Sequence, residues 1–145
     1  MIKILCVGKI KERYLVELIA DYVKRINKYH KIVISELKDD VNYSKELKSI
    51  LHCINTADYN IALDMNGNKI DSLEFANTIE NTLMVNSNIT FIIGGSNGLN
   101  DEIRNKCAKI ISFSDLTFPH GLFRGILLEQ IYRAFKIINN ETYHK

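Results

Sequence analysis

The sequence predicts an α/β protein, one domain over residues 1–145, in which helices flank a mostly parallel sheet. Strand-like apolar runs alternate with stretches of helical periodicity along the whole chain, which is the pattern of such sheets. The composition, with 46% hydrophobic and 25% charged residues and a single proline, is that of a folded globular chain. A chain of 145 residues can bury one sizeable core, and it shows no repeat, linker or low-complexity segment.

The first half of the chain predicts a strand, a helix, a strand and a short helix. Ile2–Val7 is an apolar run that closes at Gly8, which indicates the first strand. The next stretch has apolar residues at helical spacing with charged residues between them, and these apolar positions are Leu15, Leu18, Ile19, Tyr22 and Ile26. Lys31–Leu37 indicates a second strand, and Ser44 is the expected N-cap of a helix that ends near Ile54.

The alternation continues in the middle of the chain. Asn60–Met65 indicates a third strand, and the turn Asn66-Gly67-Asn68 follows it. Ser72 is the expected N-cap of a helix that ends near Met84. Ile89–Ile93 indicates the fourth strand.

The last third of the chain predicts a capped helical turn, a strand and a long helix. Asn100 precedes two acidic residues, which favour the positive end of a helix dipole. Ile110–Ser114 indicates the fifth strand. A long helix is expected from about Pro119 to Asn139.

Several classes of function lack the residues that they require. The three cysteines, Cys6, Cys53 and Cys107, have no CxxC spacing, which argues against a disulfide framework and a zinc site. The four histidines have no ligand spacing such as HExxH, so no metal is expected. No apolar run reaches the length of a membrane span, and the N-terminal charges argue against a signal peptide. We therefore expect a cytoplasmic protein that does not contact membranes.

The net charge is only +2, but it is unevenly distributed. Residues 1–31 carry eight Lys or Arg and three acids, residues 32–119 carry seven and twelve, and residues 120–145 carry four and two. Both ends are therefore basic. Ordinary solvated helix faces and a nucleic-acid footprint both produce this pattern, and the excess is smaller than in strongly basic nucleic-acid-binding domains.

The Gly-rich segment GGSNG follows the fourth predicted strand, at the sheet edge where open α/β sheets bind ligands. It matches neither GxGxxG nor a Walker loop, because no Lys-Ser/Thr pair follows Gly98, so nucleotide phosphate binding is not supported. The glycines Gly94, Gly95 and Gly98 allow the backbone to approach a ligand closely. A tight strand-to-helix turn would require the same glycines.

The segment Phe113–His120 continues the last strand into a loop with two aromatic residues before Pro119. Such a loop could wrap an apolar-edged ligand such as adenine, with main-chain amides and carbonyls contacting its polar edge. A buried connector into the next helix would have the same composition.

The last predicted helix carries an arginine on an apolar face. Arg124 lies one turn after His120 and shares a side with Leu128. A buried guanidinium requires an anion, a solvent-filled pocket or a partner chain, which makes Arg124 a functional candidate. A structural salt bridge with Asp64 or Asp115 is the alternative. The opposite side of the helix is also apolar, which predicts a subunit interface and a homodimer.

Four segments together carry a resemblance to a known family. They are LDMNGNK at Leu63–Lys69, IIGGSNGL, SFSDLTFPH and the ending EQIYRAFKIINNETYHK. With these segments in this order, the sequence resembles the ribosomal RNA large subunit methyltransferase H family, within the SPOUT class, over essentially all of residues 1–145. One departure is the connection between Leu37 and Ser44, which is shorter than in many members.

The resemblance implies a C-terminal trefoil knot, an obligate homodimer, and S-adenosylmethionine as a methyl donor held bent in the knotted loops. By position it implies a set of residues that contact the donor or shape its pocket. These residues are Leu63, Gly94, Gly95, Gly98, Phe113, Ser114, Asp115, Leu116, Thr117 and Phe118.

The resemblance further implies methylation of N3 of a pseudouridine in 23S rRNA, on assembled ribosomes. We hypothesise that His120 and Arg124 of one subunit surround the target base, together with Tyr143 and His144 from the tail of its partner. A neutral histidine could accept the N3 proton, and an arginine could stabilise the anion or hold a phosphate. The basic first helix would hold the RNA backbone, and the candidate residues are Lys9, Lys11, Arg13, Lys24 and Arg25.

Two other functions are compatible with the same sequence. One is a non-catalytic RNA-binding or ribosome-binding module that keeps the fold. The other is a SPOUT methyltransferase that acts on tRNA or on another rRNA base.

Overall fold

The computed structural model describes residues 1–145, which form five strands and five helices. The strands are β1 (Ile2–Val7), β2 (Ile32–Leu37), β3 (Tyr59–Lys69), β4 (Ile89–Ile93) and β5 (Lys109–Ser112). The helices are α1 (Arg13–Ile26), α2 (Tyr43–Cys53), α3 (Ser72–Val85), α4 (Asp101–Arg104) and α5 (His120–Ile138). Every strand pairing is parallel, in the order β2-β1-β4-β3-β5, which confirms the predicted α/β class.

Helices cover both faces of the sheet, because successive strand residues point to opposite faces and both sets are apolar. On one face, Ile4 shares a buried core with Phe75 of α3 and Leu128 of α5. On the other face, Leu5 shares a smaller core with Ile103 of α4 and with residues of α2. Because all the strands are parallel, their carboxyl ends lie at the same edge of the sheet.

Helix α2 begins earlier than the sequence predicts. Its N-cap is Asn42, whose side chain accepts a hydrogen bond from the Lys45 backbone N–H at 3.2 Å. Ser44, the predicted cap, lies inside the first turn and is exposed. Both residue types are good caps, so the choice between them depends on where the chain leaves β2.

Helix α3 shows the same kind of displacement. Its N-cap is Asp71, which forms a capping box with Glu74. Ser72, the predicted cap, donates its hydroxyl hydrogen bond to Gln130 of α5 at 2.7 Å instead. A capping box satisfies two backbone donors, which favours Asp71 over a serine at the next position.

Strand β3 is longer than predicted and irregular. The expected turn at residues 66–68 lies within it, because the register to β5 shifts between Leu63 and Asn68, both of which pair with Ile111. Gly67 is packed so closely that a Cβ there would lie 2.7 Å from the Ile110 backbone. The four residues between them are an irregularity in the pairing, after which the chain continues along the same neighbour. β5 ends at Ser112, two residues before the predicted end.

No helix of the protein combines the length and the apolarity needed to cross a membrane. The trefoil knot stays a prediction from the resemblance.

Candidate functional site

A cavity of about 370 Å³ opens where the carboxyl ends of β3, β4 and β5 meet. We call it the strand-end cavity. Its walls come from the irregular part of β3, from the loops after β4 and β5, from Arg104 at the end of α4, and from the start of α5. The residues that line it are Leu63, Asp64, Met65, Asn66, Ile93, Gly94, Gly95, Ser96, Asn97, Gly98, Leu99, Arg104, Ser112, Ser114, Leu116, Thr117, Phe118, His120 and Phe123.

The Gly-rich loop after β4 is held in shape by its own backbone and by α2. Gly95 and Gly98 form an isolated antiparallel bridge, and Gly98 has a φ of 76°, a conformation that favours glycine. The Tyr43 hydroxyl on α2 lies 3.2 Å from the carbonyl oxygens of Asn97 and Gly98, within hydrogen-bond range of both. The loop therefore presents main-chain groups to the cavity in a fixed arrangement.

Two glycines of this loop leave no room for a side chain. A Cβ at Gly94 would lie 2.8 Å from the backbone of Gly98. A Cβ at Gly95 would lie 2.7 Å from Oε2 of Glu46, on α2. At both positions the protein itself fills the space that a Cβ would take, as the tight-turn interpretation of these glycines requires. Close approach of the backbone to a ligand stays a prediction.

An ion pair that the sequence analysis missed braces two walls of the cavity. Asp64, which follows the apolar part of β3, accepts a hydrogen bond from Nε of Arg104 at 3.0 Å. Arg104 also donates from Nη2 to the carbonyl of Leu99 at 2.7 Å and from Nη1 to Asp101. The sequence shows an acidic residue, Asp64, near a strand end. It does not reveal the ion pair, because the basic partner lies 40 positions away.

The structure brings most of the predicted donor-binding residues together at this cavity. The ones that line it are Leu63, Gly94, Gly95, Gly98, Ser114, Leu116, Thr117 and Phe118. Phe113 does not line it, because its ring packs inward against Phe75 with centroids 5.3 Å apart. Asp115 does not line it either, since its carboxylate points outward and pairs with Lys69.

His120, the first residue of α5, lines the cavity and is exposed. Arg124 lies one turn later but does not line the cavity, and only 3% of it is exposed. Its Nη1 donates to Glu36 at 2.6 Å, and its Nη2 donates to the backbone carbonyls of Gly8 and Val7 at 3.1 and 3.4 Å. Arg124 thus meets an anion, as expected, and this anion is the carboxylate of Glu36.

The expected partners of Arg124 are wrong, however. Asp64 is paired with Arg104, and Asp115 is paired with Lys69. The physical reason is topological, because β2 is the edge strand beside β1 and its end carries Glu36 to Arg124 of α5, whereas Asp64 lies on β3. In this conformation the guanidinium is bound to protein groups rather than aimed at a ligand.

The C-terminal tail is folded onto its own helix. The Tyr143 hydroxyl donates to Glu129 at 3.1 Å, and its ring packs edge-on against Tyr132 at 5.0 Å. Arg133 lies over the Tyr143 ring and also contacts Nδ1 of His144 at 3.0 Å. Burial raises the pKa of Tyr143 to about 12. The tail therefore has a folding role of its own, and Arg133 holds it to α5 while pairing with Glu129 one turn earlier.

Within one chain, the tail does not reach His120. Tyr143 is bonded to Glu129, nine residues along α5 from His120, which at about 1.5 Å per residue is roughly 13 Å along the helix axis. The predicted group of His120, Arg124, Tyr143 and His144 is thus not assembled by a single chain. No three or more His, Cys, Asp or Glu side chains are arranged to hold a metal ion.

Comparison with known proteins finds relatives over the whole chain. Residues 1–144 match the family described as "Predicted SPOUT methyltransferase". A protein from Clostridium perfringens named "Ribosomal RNA large subunit methyltransferase H" is 46% identical over 157 aligned positions, covering 99% of each chain. A protein of the same name from Caldicellulosiruptor saccharolyticus is 44% identical over 154 positions, covering all of both chains.

Two solved structures share the fold at low identity. A probable methylase family protein from Haemophilus influenzae Rd KW20 superposes with a TM-score of 0.59 at 15% identity, covering 99% of this chain and 70% of the other. A probable methyltransferase from Bordetella pertussis Tohama I also gives 0.59, at 11% identity, covering 92% and 93%.

Proposed function

The chain belongs to the SPOUT methyltransferase family, and from that premise we propose that it methylates N3 of a pseudouridine in 23S rRNA, on assembled ribosomes, with S-adenosylmethionine as the donor. The observation that carries the proposal is the strand-end cavity, where the irregular part of β3 and the loops after β4 and β5 converge beside His120. The names of the relatives support ribosomal RNA as the substrate. An enzyme with this substrate works in the cytoplasm, where ribosomes are.

The cavity fits the proposed donor in size and in chemistry. Its volume of about 370 Å³ falls within the range of small-molecule sites. Gly94, Gly95 and Gly98 line it without side chains, which leaves main-chain groups for polar contacts, and the aromatic ring of Phe118 supplies an apolar wall. When bound, the donor supplies an electrophilic methyl group on its sulfonium.

His120 is the proposed proton acceptor. Its imidazole takes the proton from N3, the N3 lone pair forms the new bond to the methyl carbon, and the electrons of the broken carbon–sulfur bond remain on sulfur. Alignment of N3 with the methyl group is worth as much as ~7–11 kcal/mol in favourable cases, whereas a general base contributes roughly 10²–10⁴-fold. The fixed loops of the cavity therefore matter more to the rate than the base alone.

We further propose a homodimer in which the tail of one subunit completes the site of the other, with Tyr143 and His144 of the partner subunit beside His120. Tyr143 is held at Glu129, roughly 13 Å along α5 from His120, and this supports an arrangement across subunits. Exposed apolar side chains on α1 and α5 supply a surface for the partner, and these are Tyr14, Val16, Leu18 and Leu122. In this proposal Arg124 is a positioning residue, which connects α5 to the ends of β1 and β2.

RNA binding is proposed to be mainly electrostatic. Lys9, Lys11 and Lys24 are exposed and available to phosphates. Arg13 and Arg25 are already paired with acids on α1, so they contribute less. This basic surface is too small for tight sequence-selective binding, so specificity would come from the shape of the ribosome.

The experiment that tests the function is mass spectrometry of ribosomal RNA. Ribosomes that lack the modification are incubated with the protein and methyl-labelled S-adenosylmethionine, and the RNA is digested to nucleosides. The expected product is labelled 3-methylpseudouridine from 23S rRNA. Label in tRNA or in another rRNA base would replace the proposed substrate. Donor binding without any label would indicate a non-catalytic module.

A further inference from the structure

Asp64 and Arg104 together fix more of the cavity wall than their own side chains occupy. While Oδ2 of Asp64 accepts from Arg104, its Oδ1 accepts a hydrogen bond from the backbone N–H of Asn66 at 2.9 Å, in the irregular part of β3. Arg104 in turn holds the carbonyl of Leu99, just after the Gly-rich loop. All four residues line the strand-end cavity. One ion pair therefore connects two walls that lie on separate segments of the chain.

Arg104 acts from a fixed base. It ends α4, whose N-cap Asn100 accepts a hydrogen bond from the Ile103 backbone N–H at 3.0 Å. The side chain of Ile103 is fully buried in the smaller core of the sheet. From this base the forked guanidinium holds Asp64 and the Leu99 carbonyl at the same time, which the single ammonium of a lysine does not reproduce.

The ion pair is largely removed from water. The side chain of Asp64 is 7% exposed and that of Arg104 is 21% exposed. Loss of hydration offsets much of the attraction between buried charges, so net stability is a weak reason for such a pair. What this pair does determine is the position of Asn66 relative to Leu99, because it is bonded to both.

We infer that Asp64 and Arg104 are positioning residues of the donor site, and that their ion pair holds the irregular part of β3 and the end of the Gly-rich loop at the separation in which S-adenosylmethionine binds. The inference rests on the proposed function, because the donor is the ligand proposed there. A ligand that contacts two walls binds at a lower ordering cost when the walls are already fixed. Loss of either partner should therefore weaken donor binding, although neither side chain needs to touch the donor.

The first arm of the test is calorimetry with S-adenosylmethionine on Asp64→Asn, Arg104→Met and the double variant. We expect each single variant to raise the Kd about 5- to 20-fold, and the double variant to raise it about as much as the weaker binder of the two, because either change breaks the same pair. Arg104→Lys keeps the charge without the fork, so it should raise the Kd by a smaller factor.

The matched control is Asp101→Asn. Asp101 is the exposed third acceptor of Arg104 and does not line the cavity, so this change leaves the pair with Asp64 intact. We expect the Kd of this variant to change less than about twofold. Thermal melts of all variants identify the temperature range in which each one is folded, and Arg104→Lys, the mildest change, replaces Arg104→Met if that protein does not fold.

The second arm needs no donor. Amide hydrogen exchange is followed at the Asn66 N–H and at the Gly98 N–H, which donates to the Gly95 carbonyl at 3.0 Å. In Asp64→Asn the Gly98 N–H should exchange at least about fivefold faster, because Arg104 no longer connects the two walls, whereas the amides of α3 should be unchanged. A wild-type protein that binds no donor would refute the proposed function, and the exchange rates would still decide whether the pair holds the walls.

Three results would overturn the inference. The first is an unchanged Kd together with unchanged exchange in both single variants. The second is faster exchange with an unchanged Kd, which would give the pair a structural role only. The third is a Kd in the double variant that rises by the product of the two single effects, since independent losses would mean that each side chain contacts the donor separately.

Discussion

Gly94 and Gly95 are adjacent, yet the same substitution should affect them differently. A Cβ at Gly94 meets the backbone of Gly98, which cannot move without opening the loop, whereas a Cβ at Gly95 meets only the carboxylate end of Glu46. We expect Gly94→Ala to lower the free energy of unfolding by about 1–3 kcal/mol and to weaken donor binding. Gly95→Ala should cost clearly less stability.

Denaturant unfolding and calorimetry with S-adenosylmethionine measure both effects for the two variants. Equal losses of stability would mean that the loop yields as easily at Gly94 as the side chain does at Gly95.

His30 is a single residue that should make the stability of the fold depend on pH. Its Nε2 is buried without a hydrogen-bond partner, its ring stacks on Phe135 at 5.9 Å, and burial lowers its pKa from the usual 6.5. Since the folded-state pKa is depressed, its stabilising effect is complete above about pH 6.5 and is lost as the pH falls through the folded-state value.

We expect His30→Phe, which keeps the stacking but cannot be protonated, to lose less thermal stability than wild type between pH 7 and pH 5. Thermal melts across this range provide the measurement. The control is His52→Gln, because His52 is exposed and its replacement should leave the pH dependence unchanged. If His30→Phe follows the wild-type curve, protonation of His30 is not what weakens the fold.

At the scale of elements, Arg124 connects α5 to the ends of β1 and β2. Its guanidinium serves three acceptors, and its side chain is 4% exposed, compared with 40% for Glu36. We expect Arg124→Met to destabilise the protein by about 2–4 kcal/mol, because Glu36 and the carbonyls of Val7 and Gly8 all lose their donor. Glu36→Gln should cost about 1 kcal/mol or less, since a partly solvated amide still accepts the hydrogen bond.

Chemical denaturation ranks the two variants. A fully stable Arg124→Met protein that has lost methyl transfer would contradict the positioning role and place Arg124 at the reacting atoms instead.

The types and order of the elements could be predicted, but some of their ends could not. β1 and β4 match their predicted bounds, because each is an apolar run closed by glycine or flanked by polar residues. The caps of α2 and α3 were misplaced by one or two residues, since Asn42 and Asp71 compete with nearby serines of similar propensity. Asn66-Gly67-Asn68 predicts a turn because these residue types are typical of turns, and the same types also occur where the pairing of a strand is irregular.

At the scale of the whole molecule, the proposed dimer predicts that two inactive variants restore activity when they are mixed. A subunit with His120→Asn and an intact tail is mixed with a subunit truncated after Asn140. If the tail acts across subunits, each mixed dimer has one complete site and methylation returns, although each variant alone is inactive. Labelled transfer to ribosomes measures the recovery.

A tail that acts within its own chain would give no recovery in the mixture. The truncated protein should keep nearly full donor affinity, because Tyr143 and His144 do not line the strand-end cavity. Circular dichroism checks its folding, since removing Tyr143 also removes contacts to Glu129 and Tyr132.

The sequence by itself determined the α/β class, the edge of the sheet that carries the cavity, and the Gly-rich loop within it. Local periodicity and backbone requirements specify these features, and both can be read within a few residues. Only the tertiary structure decided that Arg124 binds Glu36, that Asp64 binds Arg104, and that the tail packs on α5. The partners of Arg124 are 88 or more positions away, and no local pattern selects one carboxylate among the seventeen acids of the chain. Parallel pairing of distant strands makes that selection.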